Sequence, residues 1–505
     1  MSLKIQVRTG KALEASAEVL AVVLPAFQLV KKKGKEALPA PLDEIDAAVD
    51  GALLALVKKE EFTAKKDQVL AFSPHGRLAF DRVLLCGTGD APLDAAAART
   101  LAAKIARSAQ GEKAKSLAIA LPDSLLGELR PLAEGIELGA YRFTKYFTGE
   151  KAPKSALGAV SFVTGAKVSA DARRAVELGA QIGAAVNVAR DLSNEPPNVI
   201  YPESLADAAV AMAKANGLKA TVLDFKEIKK RGMGLLQAVG QGSERKPCLV
   251  HLSYVPKNAK KRYVFVGKGV TFDTGGISIK PAAGMQEMKH DMSGAANIVG
   301  FMQAIAALKP DVEVHGIMPC AENMPDGTAY RPGDVWTSYE GKTVEIVNTD
   351  AEGRLILADA MTYAQKLEPD FLIDNATLTG ACVVALGTTA SAWYANGEEA
   401  AKEFGAAVST SGEQMWRMPL LEELKDQLKS DVADMKNAGD RYGGSISAAL
   451  FLREFIGSIK NWVHADIAGP AMADRTFRWD PKGGTGHGVL TFLALVENAT
   501  RQDRE

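Results

Sequence analysis

The chain has 505 residues, enough for two or three domains, and its 47% hydrophobic and 24% charged residues are the balance of an ordinary globular protein. A formal net charge of -1 gives no overall field to attract nucleic acid or an anionic membrane surface. The four cysteines, Cys86, Cys248, Cys320 and Cys382, stand far apart with no CxxC spacing, which speaks against a disulfide framework and for thiols in a reducing, cytoplasmic compartment.

Met1 to Ile5 does not open a signal peptide, and no charge-free apolar run reaches the roughly 18 residues of a membrane span. In chain order, strand patterns at 19–24, 82–86, 117–121 and 160–163 alternate with helical patterns at 43–59, 94–108 and 125–141. This predicts an N-terminal α/β domain over 1–170 with a mostly parallel sheet. Gly87-Thr88-Gly89, after a strand, reads as a turn rather than a phosphate cradle. A helical pattern at 172–189 leads to Pro196-Pro197, which stop a helix, so 171–198 reads as a connector. Residues 199–505 read as a larger C-terminal α/β domain with a central mixed, mostly parallel sheet. Its predicted strands lie at 220–223, 247–255, 262–266, 312–318, 371–373 and 462–465, and its helices at 202–216, 293–308, 355–366, 443–455 and from 489.

Parallel sheets carry functional residues at the carboxyl ends of their strands. After the 262–266 strand come Gly267-Lys268-Gly269, then Asp273-Thr274-Gly275-Gly276, then Lys280, then His290-Asp291 ahead of a helix. Further on, Asn348-Thr349-Asp350-Ala351-Glu352-Gly353-Arg354 places two carboxylates and a guanidinium on alternate residues. In an extended segment these three face one point. Facing carboxylates repel unless a cation lies between them, and either Arg354 or a metal would serve. Asp273, Asp291, Asp350 and Glu352 together need more positive charge than Lys268, Lys280 and Arg354 supply, a need met by a pair of divalent metals. The blander readings are an N-cap role for Asp291 and a phosphate-binding Lys268, although the P-loop pattern around Lys268 is absent. A two-metal phosphatase would use a similar carboxylate cluster, but not ordinarily a lysine ligand.

The stretch from Asn348 to Leu355 resembles the signature of the leucyl aminopeptidases, the cytosol aminopeptidase family of two-metal exopeptidases. Gly267 through Gly276, Lys280, Met288 through Gly294 and Asp374 through Ala381 are similar to further motifs of that family, in the same order, and the resemblance covers nearly all of the chain. It implies a metal-dependent aminopeptidase that releases N-terminal residues of Leu or Met type from peptides by attack of a metal-bridging water or hydroxide. Carried over by position, Lys268, Asp273, Asp291 and Glu352 would hold a readily exchanged metal. Asp273, Asp350 and Glu352, with the Asp350 main-chain carbonyl, would hold a tighter one. Lys280 matches the catalytic lysine, and Arg354 the arginine that holds a bicarbonate serving as general base. Met288, Asn348, Thr377, Leu378 and Gly380 match positions lining the substrate site. The implied cofactors are two divalent ions per subunit, Zn or Mn, with Mg or Co possible at the exchangeable position, together with bicarbonate. The implied assembly is a homohexamer. Thr274, His290 and His487 depart from the usual Ser, aromatic and Phe. Some bacterial members double as DNA-binding proteins, but the net charge does not point to a basic groove.

Overall fold

The structure is a computed structural model and describes residues 3–502. It divides into two compact units, one running to Ala184 and including Arg478–Asp480, the other comprising Ala185–Phe477 and the residues from Pro481 onward. The boundary falls inside a helix, Ala170–Asn194, which stops just ahead of Pro196-Pro197.

In the first unit six strands, among the described residues, lie in the order Lys4–Thr9, Ala159–Thr164, Ser116–Ala120, Val19–Pro25, Arg82–Gly89 and Val69–Phe72. All neighbours are parallel except the last pair. The central strand, Val-Leu-Ala-Val-Val-Leu-Pro, is buried at every position but Pro25, as a strand covered on both faces must be. Its alternate residues feed two cores: Val19, Ala21 and Val23 pack on one side, and Leu20, Val22 and Leu24 on the other. Two predictions fail here. The 43–59 helix is broken into Leu42–Ala48 and Ala52–Lys59, because Asp50 and Gly51 adopt positive φ of 54° and 80° between them. Gly87-Thr88-Gly89 is the end of a strand rather than a turn, since the parallel neighbour Val19–Pro25 and the 64–68 loop hold it in the sheet.

In the second unit the main sheet, among the described residues, has nine strands. They run Met415–Arg417, Ser391–Ala395, Trp462–Asp466, Phe371–Ala376, Arg262–Gly267, Glu313–Asn323, Cys248–Tyr254 and Lys219–Leu223, with Gly269–Asp273 also paired to Glu313–Asn323. The four central strands, from Trp462–Asp466 to Glu313–Asn323, are mutually parallel, and antiparallel pairs flank them. The sheet is therefore mixed and mostly parallel. Val264 and Val266 join the core containing Leu355, Leu357 and Met361 of the Gly353–Gln365 helix. Phe265, between them, turns to the other face and meets the rings of Phe301 and Phe492 at 4.3 and 5.5 Å. Helices thus cover both faces and leave the carboxyl ends of the strands open. No helix among the described residues is long and apolar enough to cross a membrane.

Candidate metal centre

Three strand ends lead into the site, and the segments after them bring the remaining charged groups. The Arg262–Gly267 strand delivers Lys268, Gly269–Asp273 ends on Asp273, and Phe371–Ala376 leads into Thr377. Lys268 Nζ lies 2.7 Å from Asp291 Oδ1 and 2.8 Å from Glu352 Oε1, and donates to the Thr377 carbonyl at 2.9 Å. Lys280 Nζ lies 2.8 Å from Asp273 Oδ2 and 2.5 Å from Asp350 Oδ1. One oxygen from each of Asp273, Asp350 and Glu352 falls within 4.8 Å of the others. All seven groups except Lys280, Asp350 and Thr377 are buried.

The 348–354 stretch is not extended. Asn348 Oδ1 accepts the Asp350 N–H at 2.9 Å in a tight turn, and Glu352 is already helical in φ and ψ ahead of the Gly353–Gln365 helix. Asp350 and Glu352 still converge, but on Asp273 and across a turn. Arg354 sits in the first turn of the helix and donates to the Asn437 carbonyl at 3.0 Å. Among the described residues it forms no ion pair with Asp350 or Glu352; the cations that meet these carboxylates are the two lysines. A Cβ on Gly353 would stand 2.6 Å from Lys268 Cε, so the lysine reaches the cluster only past a glycine. Asp291 is not an N-cap, because Met292 holds that position for the Ser293–Leu308 helix. Its Oδ1 accepts from Thr377 Oγ1 at 2.8 Å, and its Oδ2 is buried without a hydrogen-bond partner.

Two supporting residues lie outside the motifs read from the sequence. Asn323 Nδ2 donates to Asp273 Oδ1 at 2.8 Å and to the Thr349 carbonyl at 3.0 Å, fastening the segment that carries Asp273 to the turn that carries Asp350. Its signal was a polar residue closing a buried strand, hidden because the apolar pattern breaks at Pro319 and the predicted strand ended at 318. Asn437 Oδ1 accepts the Val347 N–H at 2.9 Å while its Nδ2 donates to the Asn348 carbonyl at 2.7 Å, and so fixes the entry to the turn.

Burial governs the titration of the cluster. Burial alone would lower the pKa of the Lys268 ammonium, but Asp291, Glu352 and Asp273 outweigh it and hold it above its ordinary value. Lys280 shows the same balance, carried upward by Asp273 and Glu352. Burial pushes the Asp273 and Asp291 carboxyls up, and Glu352 adds to both, against the pull of the lysines. Asp350 is also raised by burial, opposed first by its contact with Lys280. Burial brings the Arg354 guanidinium down to about 10.

A cavity of about 820 Å³ opens beside the cluster, lined by Asn348, Asp350, Arg354, Leu378 and Gly380 among others. Its size suits a small organic ligand. Thr377 instead touches Asp291 and Lys268, and Met288 is half-buried in the short turn before Asp291, outside the cavity lining. Thr274 keeps its hydroxyl on the Asn323 carbonyl at 2.8 Å. Burial pushes the His290 imidazole down to about 4, and His487 Nε2 lies 3.0 Å from Ser391 Oγ.

Four carboxylates against two ammonium groups, with a buried carboxylate oxygen left without a partner, fit a divalent cation. The comparisons agree. Residues 187–493 match the model of the cytosol aminopeptidase family catalytic domain, and residues 22–149 match that of its N-terminal domain. A probable cytosol aminopeptidase of Alkaliphilus oremlandii (strain OhILAs) is 39% identical over 98% of this chain and 99% of its own length. One of Streptomyces coelicolor is 40% identical over 99% and 98%. Among solved structures, a mutant of tomato leucine aminopeptidase superposes with a TM-score of 0.88 at 31% identity, over 98% of this chain and 97% of that one. The bottromycin maturation enzyme BotP in complex with Mn gives 0.83 at 34% identity, over 96% and 100%. With carboxylates and lysines gathered at the strand ends of its second unit, the chain belongs to the cytosol aminopeptidase family and is a metal-dependent aminopeptidase.

Proposed function

We propose that this aminopeptidase holds two divalent metals, with Asp273 and Glu352 shared, Lys268 and Asp291 completing the exchangeable position, and Asp350 completing the tighter one. The observation that carries the reading is the placement of Lys268 and Lys280 against opposite members of one carboxylate cluster. When bound, the metals supply Lewis-acid polarisation of the scissile carbonyl and activation of a water. Lys268 gives up its ammonium proton to become a ligand, so metal uptake releases a proton there. Lys280 remains an ammonium and stabilises the negative charge that develops on the carbonyl oxygen. Arg354 would hold a bicarbonate, which would supply a general base, a role supported by its buried Nε, which has no hydrogen-bond partner. Asn348, Leu378 and Gly380 line the cavity that receives the peptide, and with Met288 and Thr377 they give a preference for N-terminal Leu or Met.

Zn or Mn fills both positions, with Mg or Co accepted at the exchangeable one. The manganese complex of the related maturation enzyme supports Mn. The protein works in the cytoplasm as a homohexamer, which mass measurement in solution tests. A gel shift at about 0.15 M salt tests for DNA binding, which the net charge of -1 argues against. The deciding experiment adds each metal back to apo protein and assays a panel of aminoacyl anilides beside a phosphate ester. Hydrolysis of the Leu and Met anilides that needs two equivalents of metal is expected. Full activity at one equivalent, or turnover of the ester alone, overturns the reading.

A further inference from the structure

One buried carboxylate that none of the roles above employs holds the turn behind the metal cluster. Asp466 closes the Trp462–Asp466 strand and is fully buried. Its Oδ1 accepts the N–H groups of Leu378, Thr379 and Ala468 at 3.2, 3.4 and 3.3 Å. Its Oδ2 accepts from Thr379 Oγ1 at 2.6 Å and from Ser445 Oγ at 3.2 Å. Tyr394 OH donates to that serine oxygen at 2.7 Å. Donors from three separate segments therefore converge on one side chain, which uses essentially all of its acceptor capacity.

The other side of the same turn faces the cluster. The Thr377 carbonyl accepts from Lys268 Nζ at 2.9 Å, and Thr377 Oγ1 donates to Asp291 Oδ1 at 2.8 Å. Lys268 and Asp291 are the two ligands assigned to the exchangeable position alone. Asp273 is held instead by Asn323 and the Gly275 N–H, and Asp350 by Lys280. The ligands assigned to one position alone, Lys268 and Asp291 on one side and Asp350 on the other, thus have separate supports. A neutral lysine keeps two N–H donors and one lone pair. With one donor committed to the Thr377 carbonyl, the orientation of that lone pair is restricted.

We propose that Asp466 is a positioning residue which, by fixing Leu378 and Thr379, aims Thr377 at Lys268 and Asp291 and so sets the affinity of the exchangeable metal position. The inference rests on the two-metal reading. Loss of such an outer hydrogen bond typically weakens metal binding by about 10- to 100-fold.

The test is a calorimetric titration of apo protein with Mn²⁺ alone, resolved by equivalent. Wild type is expected to bind two equivalents. Asp466→Asn should weaken one of them about 10- to 100-fold and leave the other within about threefold. Thr377→Val should weaken the same equivalent, Thr377→Ser should restore it, and the double variant should fall short of the sum of the singles. Should Asp466→Asn not fold, Thr379→Val, which removes the hydroxyl bond to Asp466 together with its cap on the Cys382 N–H, is read in the same way. Equal weakening of both equivalents, or of neither, in folded variants overturns the inference and leaves the two-metal reading standing. A single equivalent in wild type overturns both.

Discussion

The two edges of the central sheet in the second unit are built from the same strands and behave oppositely. At the amino-terminal edge of the parallel strands, polar groups form a closed chain. Arg262 Nε donates to Glu313 Oε1 at 2.8 Å, His315 Nε2 lies 2.7 Å from the same oxygen, and His251 Nε2 lies 2.9 Å from His315 Nδ1. Tyr363 OH ends the chain 3.1 Å from His251 Nδ1. One carboxylate meets one guanidinium, and each imidazole nitrogen has a neighbour. At the carboxyl edge four carboxylates share two ammonium groups, and Asp291 Oδ2 and Arg354 Nε are left without hydrogen bonds. Electrostatic closure marks the edge that supports the fold. An unclosed charge balance marks the edge that binds something.

Four measurements break or sharpen that contrast. The largest effect is expected from Asp273→Ala, which removes a carboxylate common to both proposed metals. Activity should fall by more than about a thousandfold and metal content should drop after dialysis; a variant that keeps both shows that the open edge has another purpose. Lys280→Ala should lower kcat about 10²- to 10³-fold with metal content retained, and a near wild-type rate removes the lysine from the chemistry.

The closed edge should respond to pH instead. Burial, with help from His315 and Lys219, depresses the His251 imidazole to about 4. Above about 6.5 neither the folded nor the unfolded form carries this proton. Between there and about 4 only the unfolded form takes it up, so stability is lost as pH falls through that window. His251→Gln should abolish that part of the loss, about 3 kcal/mol in denaturant unfolding compared at pH 7 and pH 4. An unchanged pH slope would show that the imidazole chain is not what sets it. The smallest effect belongs to Thr274→Ser, which keeps the hydroxyl on the Asn323 carbonyl. Stability should move by less than about 0.5 kcal/mol and kcat/KM by less than about twofold; a larger change would give the methyl group a packing role.

The gathering of charged groups at the open edge was legible in the sequence because Lys268, Asp273, Asp291, Asp350 and Glu352 stand at or just beyond the ends of predictable elements. The α/β alternation and the mostly parallel sheets were legible for the same reason. Geometry was less so. The alternate spacing of Asp350, Glu352 and Arg354 suggested one extended face, whereas the chain turns through Asn348 and enters a helix. Asn323 and Asp466 support the site from strands far away in sequence, and nothing local announces such a long-range hydrogen bond. The edge strands Lys4–Thr9 and Val69–Phe72 were missed because each is mostly exposed or half-exposed and carries a weak apolar pattern.

The glycine beside Lys268 changes how inactive relatives should be recognised. Gly353 lies at the start of a regular helix, where alanine would ordinarily be favoured by about 1 kcal/mol. Its Cβ, however, would occupy space 2.7 Å from Lys268 Nζ. A homologue could retain every ligand-bearing side chain and still lose its metal through one added methyl group. A census of ligands alone would score such a protein as an enzyme, so residue 353 belongs in that census although it donates no electron pair.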